Sequence, residues 1–509
     1  MTALLLGVDI GTASSKGVLA RTDGTVVATA TRAHEVSMPH PGWVEHDAQA
    51  VWWADFTAIS KELTARAPES ISAVAVSGIG PCLLPVDGAD QPLRPAILYG
   101  VDTRAQAEID ELNETLGAQT ILERCGSLLT SQAVGPKLAW LRANEPDTWA
   151  LTRRFLMASS FIVRRLTGSY VLDHHSASQC TPMYDPVGQC WIPEWTELIA
   201  PGLELPQLCW PADVVGQVQA GAAEQTGIPA GTPVVAGTID AWAEATSAGV
   251  TEPGDVMLMY GTTMFLVEVL DRPRRSPHLW GTVGTFPGTH NFAAGMATSG
   301  AITEWIRKLT GEPTFDPLLA EAQHSPPGSR GLLLLPYFAG ERTPLFDPDA
   351  RGVLAGLTLR HTRGDIYRAA LEATAYGVRH NLAAMREAGG QLRRLVAVGG
   401  GTKGGLWTQI VSNVLNAPQE LPHQTIGACL GDALLAAIGI GAIGGGQPDL
   451  ARWNPIATTI EPRPEPAAAY ERYYSLYREL YPSTIRIAHA LAQEQRDTPA
   501  TDSPRPGGN

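Results

Sequence analysis

Two α/β domains facing each other across a central cleft are what this sequence predicts, on three observations. The N-terminal run LLLGVDIGTASSKGVLA sets Asp9, Gly11, Thr12 and Lys16 in a tight turn between two apolar segments. The run VMLMYGTTMFLV repeats the device with Gly261, Thr262 and Thr263. Each turn opens a series of strand, turn, strand and then helices, so the order of elements points to a duplicated α/β unit although the halves share little sequence. The length agrees, since 509 residues are about twice the size at which one core stops growing.

Taken in order, residues 3–31 read as a meander of strands, with Asp23-Gly24 as a type I′ hairpin signal. AVWWADFTAISKELTARA (50–67) has helical spacing, ISAVAVSGIG is a buried strand, and TRAQAEIDELNETLG (103–117) is a helix stopped at Gly117. PVVAGTID is a strand that delivers Asp240 to the start of a helix over 241–249. GVTEPGDVM (249–257) is the junction, because Gly and Pro crowd together there. Beyond it come a long helix in RGDIYRAALEATAYGVRHNLAAMREAGG, the strand RRLVAV, the glycine turn 399–405, and the helices LWTQIVSNVLN and CLGDALLAAIGIGAIG. The expected domains are therefore 1–248 and 249–493, followed by a polar, proline-rich, disordered tail over 494–509.

Composition narrows the function. A net charge of −14 with no block of Lys or Arg argues against a nucleic-acid surface and against anionic lipid. The longest apolar helix candidate, after Asp432, falls short of the roughly 20 residues that span a bilayer. Six scattered cysteines without a CxxC spacing fit a reducing, cytoplasmic setting rather than a disulfide framework or a zinc site. His174-His175 lack a third ligand and are expected at the surface.

Two glycine-threonine turns and an acid at a strand end suit phosphoryl transfer, which depends on positioning and charge stabilisation. Asp240 is the candidate base, since an acceptor hydroxyl needs a carboxylate to take its proton; a plain helix cap is the alternative. Asp9 suits a magnesium ion or its water, and Lys16 either meets phosphate or is simply solvated. Gly399–Gly404 also satisfies GxGxxG, with Glu420 near the place of a ribose-binding acid, so an NAD-dependent oxidoreductase is the rival of another class. A non-catalytic sugar sensor is a third reading.

Three segments resemble the FGGY family of carbohydrate kinases: DIGTASSK, PYFAGERTPLFDPDARGVLAGLTLRHTRGDIYRAALEATAYG and VGGGTKGGLWTQIVSNVLNAP. The resemblance runs over almost the whole chain and is xylulokinase-like. It implies two actin-like (ribonuclease H-like) ATPase domains with ATP and Mg²⁺ in the cleft and the sugar deeper, mainly on the first domain. It implies Asp240 as catalytic base and, with Asp9, as the metal-facing acid. Thr12 and Lys16 would meet phosphate, as would Gly261, Thr262 and Thr263. Gly300 and Glu304 would lie near the nucleotide, and Gly400, Gly401 and Thr402 would flank adenosine. The partner is a small sugar or polyol, D-xylulose first, with other pentuloses, tetruloses, pentitols and linear signalling sugars as alternatives; a homodimer is left open.

The sugar site departs from relatives. Where they carry polar residues after the first buried strand, this chain has Ile79, Gly80 and Pro81, and Ala241 follows the base. Gly80, Pro81, Tyr99, Asp102, Arg104 and Asp240 are the substrate-side candidates, with a purely structural Asp102–Arg104 pair as the alternative. Because the turns come from both halves, closure about the junction is expected.

Overall fold

The computed structural model describes residues 3–497. The first lobe is built on a hairpin and its neighbour: β1 (Leu4–Ile10), β2 (Ser14–Arg21) and β3 (Val26–Ala33) run antiparallel. Helix α1 (Ala54–Arg66) then carries the chain to β4 (Ile71–Gly78), which lies parallel to β1. β5 (Val214–Gln217) and β6 (Pro233–Val235) complete the far edge, giving the order β5-β6-β4-β1-β2-β3. β7 (Thr238–Ile239) pairs with the end of β4 and leads directly into α2 (Asp240–Ser247). The strand–acid–helix reading of the sequence is what forms, because a parallel strand end followed by a helix is the ordinary α/β connection.

The second lobe repeats the plan. β8 (Asp255–Tyr260) and β9 (Met264–Leu270) form the hairpin, with β10 (Trp280–Val283) and β11 (His290–Met296) beyond it. Helices α3 (Gly300–Leu309) and α4 (Arg363–Glu387) precede β12 (Arg394–Val398), which is parallel to β8 as β4 is to β1. Then follow α5 (Leu406–Leu415), β13 (Gln419–Pro422), α6 (Ala428–Gly439), β14 (Ile456–Ile460) and α7 (Pro464–Asp497), with the sheet order β10-β11-β9-β8-β12-β13-β14. Residues 494–497 thus continue the last helix, while 498–509 of the expected tail lie outside the described residues. Among the described residues no helix is long and apolar enough to cross a membrane.

Two local expectations are corrected. The loop after β2 is not type I′: Gly24 alone has a positive φ (82°), and its N–H donates to the Arg21 carbonyl while Arg21 N–H bonds back to Thr25. This is a type I turn closed by a left-handed glycine, in which Asp23 keeps an ordinary backbone and accepts from Thr25 N–H. His175 is not a surface residue, and His174 is half-buried with its Nδ1 2.8 Å from the Tyr184 hydroxyl. His175 is fully buried, stacks on Trp242 with ring centroids 3.8 Å apart, and meets the Val283 carbonyl at 2.8 Å.

Helix α6 stands between β13 and β14 of the second sheet in sequence but lies on the first sheet. A Cβ at Gly7 would stand 2.0 Å from the Cys429 carbonyl oxygen, and one at Gly431 only 1.8 Å from the Ala243 carbonyl oxygen. Backbone therefore rests on backbone where α6 crosses β1 and α2, and the apolar face Leu430, Ala433, Leu434 and Ala437 fills in against Leu5, Val18 and Ala73. Gly431→Ala should push α2 and α6 apart and lower stability by roughly 1–3 kcal/mol, the usual cost of overpacking. Denaturant unfolding checks this, and an unchanged midpoint would mean that the crossing tolerates the added methyl.

Candidate active site

The first glycine-threonine turn and α2 meet at the floor of the cleft. Asp9, near the end of β1, stands opposite Lys16 in the β1–β2 ladder. Its Oδ1 accepts from the Ser77 hydroxyl at 3.4 Å. Burial pushes the Asp9 carboxyl up to about 6, against the pull of Lys16 and of that hydrogen bond. Asp240 is the first residue of α2 and remains partly exposed. One oxygen accepts from the neighbouring Ala241 N–H at 2.7 Å. Burial, then the charge of Asp9, raises its carboxyl well above the usual range. As a plain N-cap it would accept from an amide two or three positions on, and Ile239 holds that place instead.

Two further acids complete the cluster, and the sequence reading missed both. Glu244 lies one helical turn after Asp240; burial and Asp9 raise it to about 7, against Lys16. Asp432 of α6 is fully buried and accepts from Ser77 Oγ at 2.7 Å, while its Oδ1 is buried without a partner. Burial and then Asp9 raise it well above the usual range. The i, i+4 spacing from Asp240 was the signal that could have found Glu244, and a lone acid in an apolar helix the one for Asp432.

The second turn lies across the cleft. The Gly261 carbonyl accepts from Gly300 N–H at 3.0 Å, and the Thr262 carbonyl accepts from the N–H groups of Ser299 and Ala301. A Cβ on Gly300 would stand 2.6 Å from the Gly261 oxygen, so this helix start can approach the turn only as glycine. Gly261, Thr262, Gly300, Glu304, Gly400 and Gly401 line one cavity of about 560 Å³, closed by Tyr260, Leu371 and Trp407. Thr262 is exposed, Glu304 is held by Arg307, and Thr402 is buried with its hydroxyl on the Gly399 carbonyl. A larger recess of about 1280 Å³ is lined by Gly404 and Gly405 but by none of the phosphate-, metal- or sugar-site candidates. Glu420 is bound to Arg394 and so is engaged away from any ribose-binding role.

On the sugar side, Tyr99 reaches the first turn, with its phenol 3.3 Å from the Thr12 hydroxyl. Burial raises that phenol, Asp240 adds to the rise, and Thr12 and Arg342 oppose it, so Arg342 of the second lobe also stands at this cleft. Gly80 lets Ile239 pack close, since its Cβ would fall 2.6 Å from that side chain, and Pro81 is buried. Asp102 and Arg104 are buried partners: both side chains are inaccessible, Arg104 also meets Glu45, and its guanidinium sits 4.0 Å from the Trp43 ring centre. Cys82 and Lys137, unremarked in the sequence, lie behind this wall. Burial raises the thiol to about 12 and lowers the amine to about 8.

Two lobes of one strand plan, a glycine-threonine turn on each and carboxylates between them define a phosphotransferase of the two-domain ATPase class. Residues 4–246 match the N-terminal domain of the FGGY family of carbohydrate kinases and residues 256–440 its C-terminal domain, and the chain belongs to that family. It is 27% identical to the xylulose kinase of Escherichia coli, over 95% of this chain and 100% of that one. It is equally 27% identical to the gluconokinase of Bacillus subtilis, over 97% of each. The crystal structure of xylulose kinase from Rhodospirillum rubrum superimposes with a TM-score of 0.88 at 33% identity, covering 96% of this chain and 100% of that one. The protein is a carbohydrate kinase with an actin-like fold.

The acid cluster has a measurable signature in the free protein. Glu244 rises from an ordinary 4.5 to about 7 on folding, so the folded state holds its proton more tightly than the unfolded chain. Unfolding then releases a proton between those values, and stability falls as pH rises through that window. Glu244→Gln removes this slope. Its stability advantage over the unaltered protein should grow from pH 4.5 to 7 and then level. Denaturant midpoints at a series of pH values test this, and a gap independent of pH would contradict it.

Proposed function

We propose that the protein transfers the terminal phosphoryl group of ATP to a hydroxyl of a small ketose or polyol, with Asp240 as general base. The observation that carries this reading is the partly exposed Asp240 carboxylate, made more basic by burial and by Asp9 of the first glycine-threonine turn. A carboxylate with raised proton affinity takes a hydroxyl proton more readily. Asp240 takes the hydroxyl proton as the oxygen attacks, Thr12 and the first turn hold the moving phosphoryl group, and Gly261–Thr263 hold the phosphates behind it. Gly300 and Glu304, with Gly400, Gly401 and Thr402, form the nucleotide's bed.

The acid cluster fits a divalent cation. Asp9 has one long hydrogen bond, and the buried Asp432 has an oxygen without a partner. Asp9 and Asp240 would face a magnesium ion, which keeps several waters and needs few protein ligands. When bound, the ion would neutralise charge on the phosphates. Lys16 lies at the same acids and suits phosphate as well.

D-xylulose is the leading substrate, supported by relatives that bear that activity in their names. The apolar Ile79-Gly80-Pro81 wall leaves sugar recognition to Tyr99 and backbone groups, with Asp102–Arg104 shaping the loop from behind. A coupled ADP-release screen over D-xylulose, other pentuloses, tetruloses, pentitols and gluconate tests the reading; no sugar-dependent turnover with any of them would sink it. Asp240→Asn should lower kcat by about 10²–10⁴-fold, the range for loss of a general base, with nucleotide binding little changed. Near-normal turnover would place the base elsewhere. The lobes should also close: sugar plus a non-hydrolysable ATP analogue is expected to reduce the radius of gyration in small-angle scattering. Identical dimensions in both states would argue against a closing cleft.

A further inference from the structure

The first turn projects three carbonyl groups into its own lobe, and two histidines receive them. His34 follows directly after β3. Its backbone N–H bonds to the Ala13 carbonyl at 3.1 Å, and its Nε2 lies 3.1 Å from the Gly11 carbonyl oxygen. Its Nδ1 lies 2.8 Å from Asp55 Oδ2, which also accepts from Ser15 Oγ at 2.8 Å. His46 sits edge-on to His34 at 5.1 Å; its Nδ1 accepts from the Trp52 indole, and its Nε2 is buried toward the Thr12 carbonyl without completing a hydrogen bond.

A carbonyl oxygen and an ionised carboxylate can only accept. An imidazole that bonds both must therefore donate from both nitrogens. We infer that His34 is a positioning residue for phosphoryl transfer: an imidazolium clamped between Asp55 and the Gly11 carbonyl that fixes the first turn and puts a positive charge behind it. This inference rests on the kinase reading of the site. In a trans peptide the C=O and the following N–H point opposite ways. Drawing the Gly11 carbonyl inward turns the Thr12 N–H toward the cleft, where a phosphate oxygen would sit. The titratable groups facing His34 are Asp55 on α1 and His46. Burial alone would lower the His34 pKa, but Asp55 outweighs it and the net direction is upward. His46 goes the other way, to about 4, by burial and by the neighbouring His34 charge. The two acceptors on His34 call for a charged ring, and the buried His46, whose Nδ1 accepts from Trp52, for a neutral one.

The test uses the full chain. Nitrogen-15 spectra of labelled histidine, with the His34 signal assigned by its loss in His34→Gln, should show both ring nitrogens protonated at neutral pH; a singly protonated ring would overturn the inference. His34→Phe removes both donors and should weaken binding of a non-hydrolysable ATP analogue by about tenfold or more, the scale of a lost charge-assisted hydrogen bond. His34→Gln can still donate to Gly11 and should recover part of that loss. The affinity ratio of the unaltered protein to His34→Gln should fall as pH rises through the His34 titration, because the glutamine carries no charge at any pH. Binding of sugar without nucleotide should be the same in all three. A ratio flat with pH, or normal nucleotide affinity in His34→Phe, would overturn the role of His34 alone. Failure of the unaltered protein to bind nucleotide would instead remove the kinase reading, and this inference with it.

Discussion

Four carboxyl groups that share one small region with a single lysine impose the constraint around which the molecule is arranged. Asp9, Asp240, Glu244 and Asp432 come from β1, α2 and α6; burial raises the proton affinity of all four, and the charge of Asp9 adds to it at the other three. Such a cluster costs stability in the free protein. It persists only because the elements bearing it are locked by unrelated packing, namely the backbone crossings at Gly7 and Gly431 and the apolar face of α6. An ionic environment that destabilises the empty site and is relieved by cation and substrate is what a phosphoryl-transfer centre requires.

The two lobes solve one backbone problem with different chemistry. A turn that offers its amides to phosphate must find partners for carbonyls that point the other way. In the second lobe those partners are backbone N–H groups of Ser299, Gly300 and Ala301 at the start of α3. In the first lobe they are the backbone and ring of His34, with His46 beside Thr12. Backbone amides do not titrate in the working range, whereas an imidazole does. The duplicated plan therefore leaves only the first turn open to pH, on the lobe that carries the base.

What could be read from the sequence was whatever is local. Both glycine-threonine turns, the strand that delivers Asp240 and the long α4 are spelled out by contiguous residues. The partners that tune them are not. Asp432 reaches Ser77 from a distant part of the chain, and Asp55 reaches His34 across a helix, so neither leaves a spacing signal. The His174-His175 expectation failed for the same reason: a short polar pair reads as surface unless the docking of β10 against it is known. The Asp23-Gly24 turn failed locally, because the same dipeptide serves a type I′ turn or a type I turn ending in a left-handed glycine. For Asp102 and Arg104 both readings were open, and only the tryptophan walls around Arg104 show how fully the pair is engaged.

That docking of β10 also bears on how the lobes can move. Ser127 bonds both the N–H and the carbonyl of Gly281, while Ser178 and His175 take the N–H and carbonyl of Val283. An edge strand of the second lobe is thus capped by side chains of the first, close to the Trp242 side of α2. Each such bond contributes about 0.5–1.5 kcal/mol, so breaking all four together would oppose opening strongly. A rotation that keeps them must place its axis near β10. Trp242, two residues after Asp240 on α2, packs on His175 beside this strand, so the helix that carries the base is tied to the capped edge.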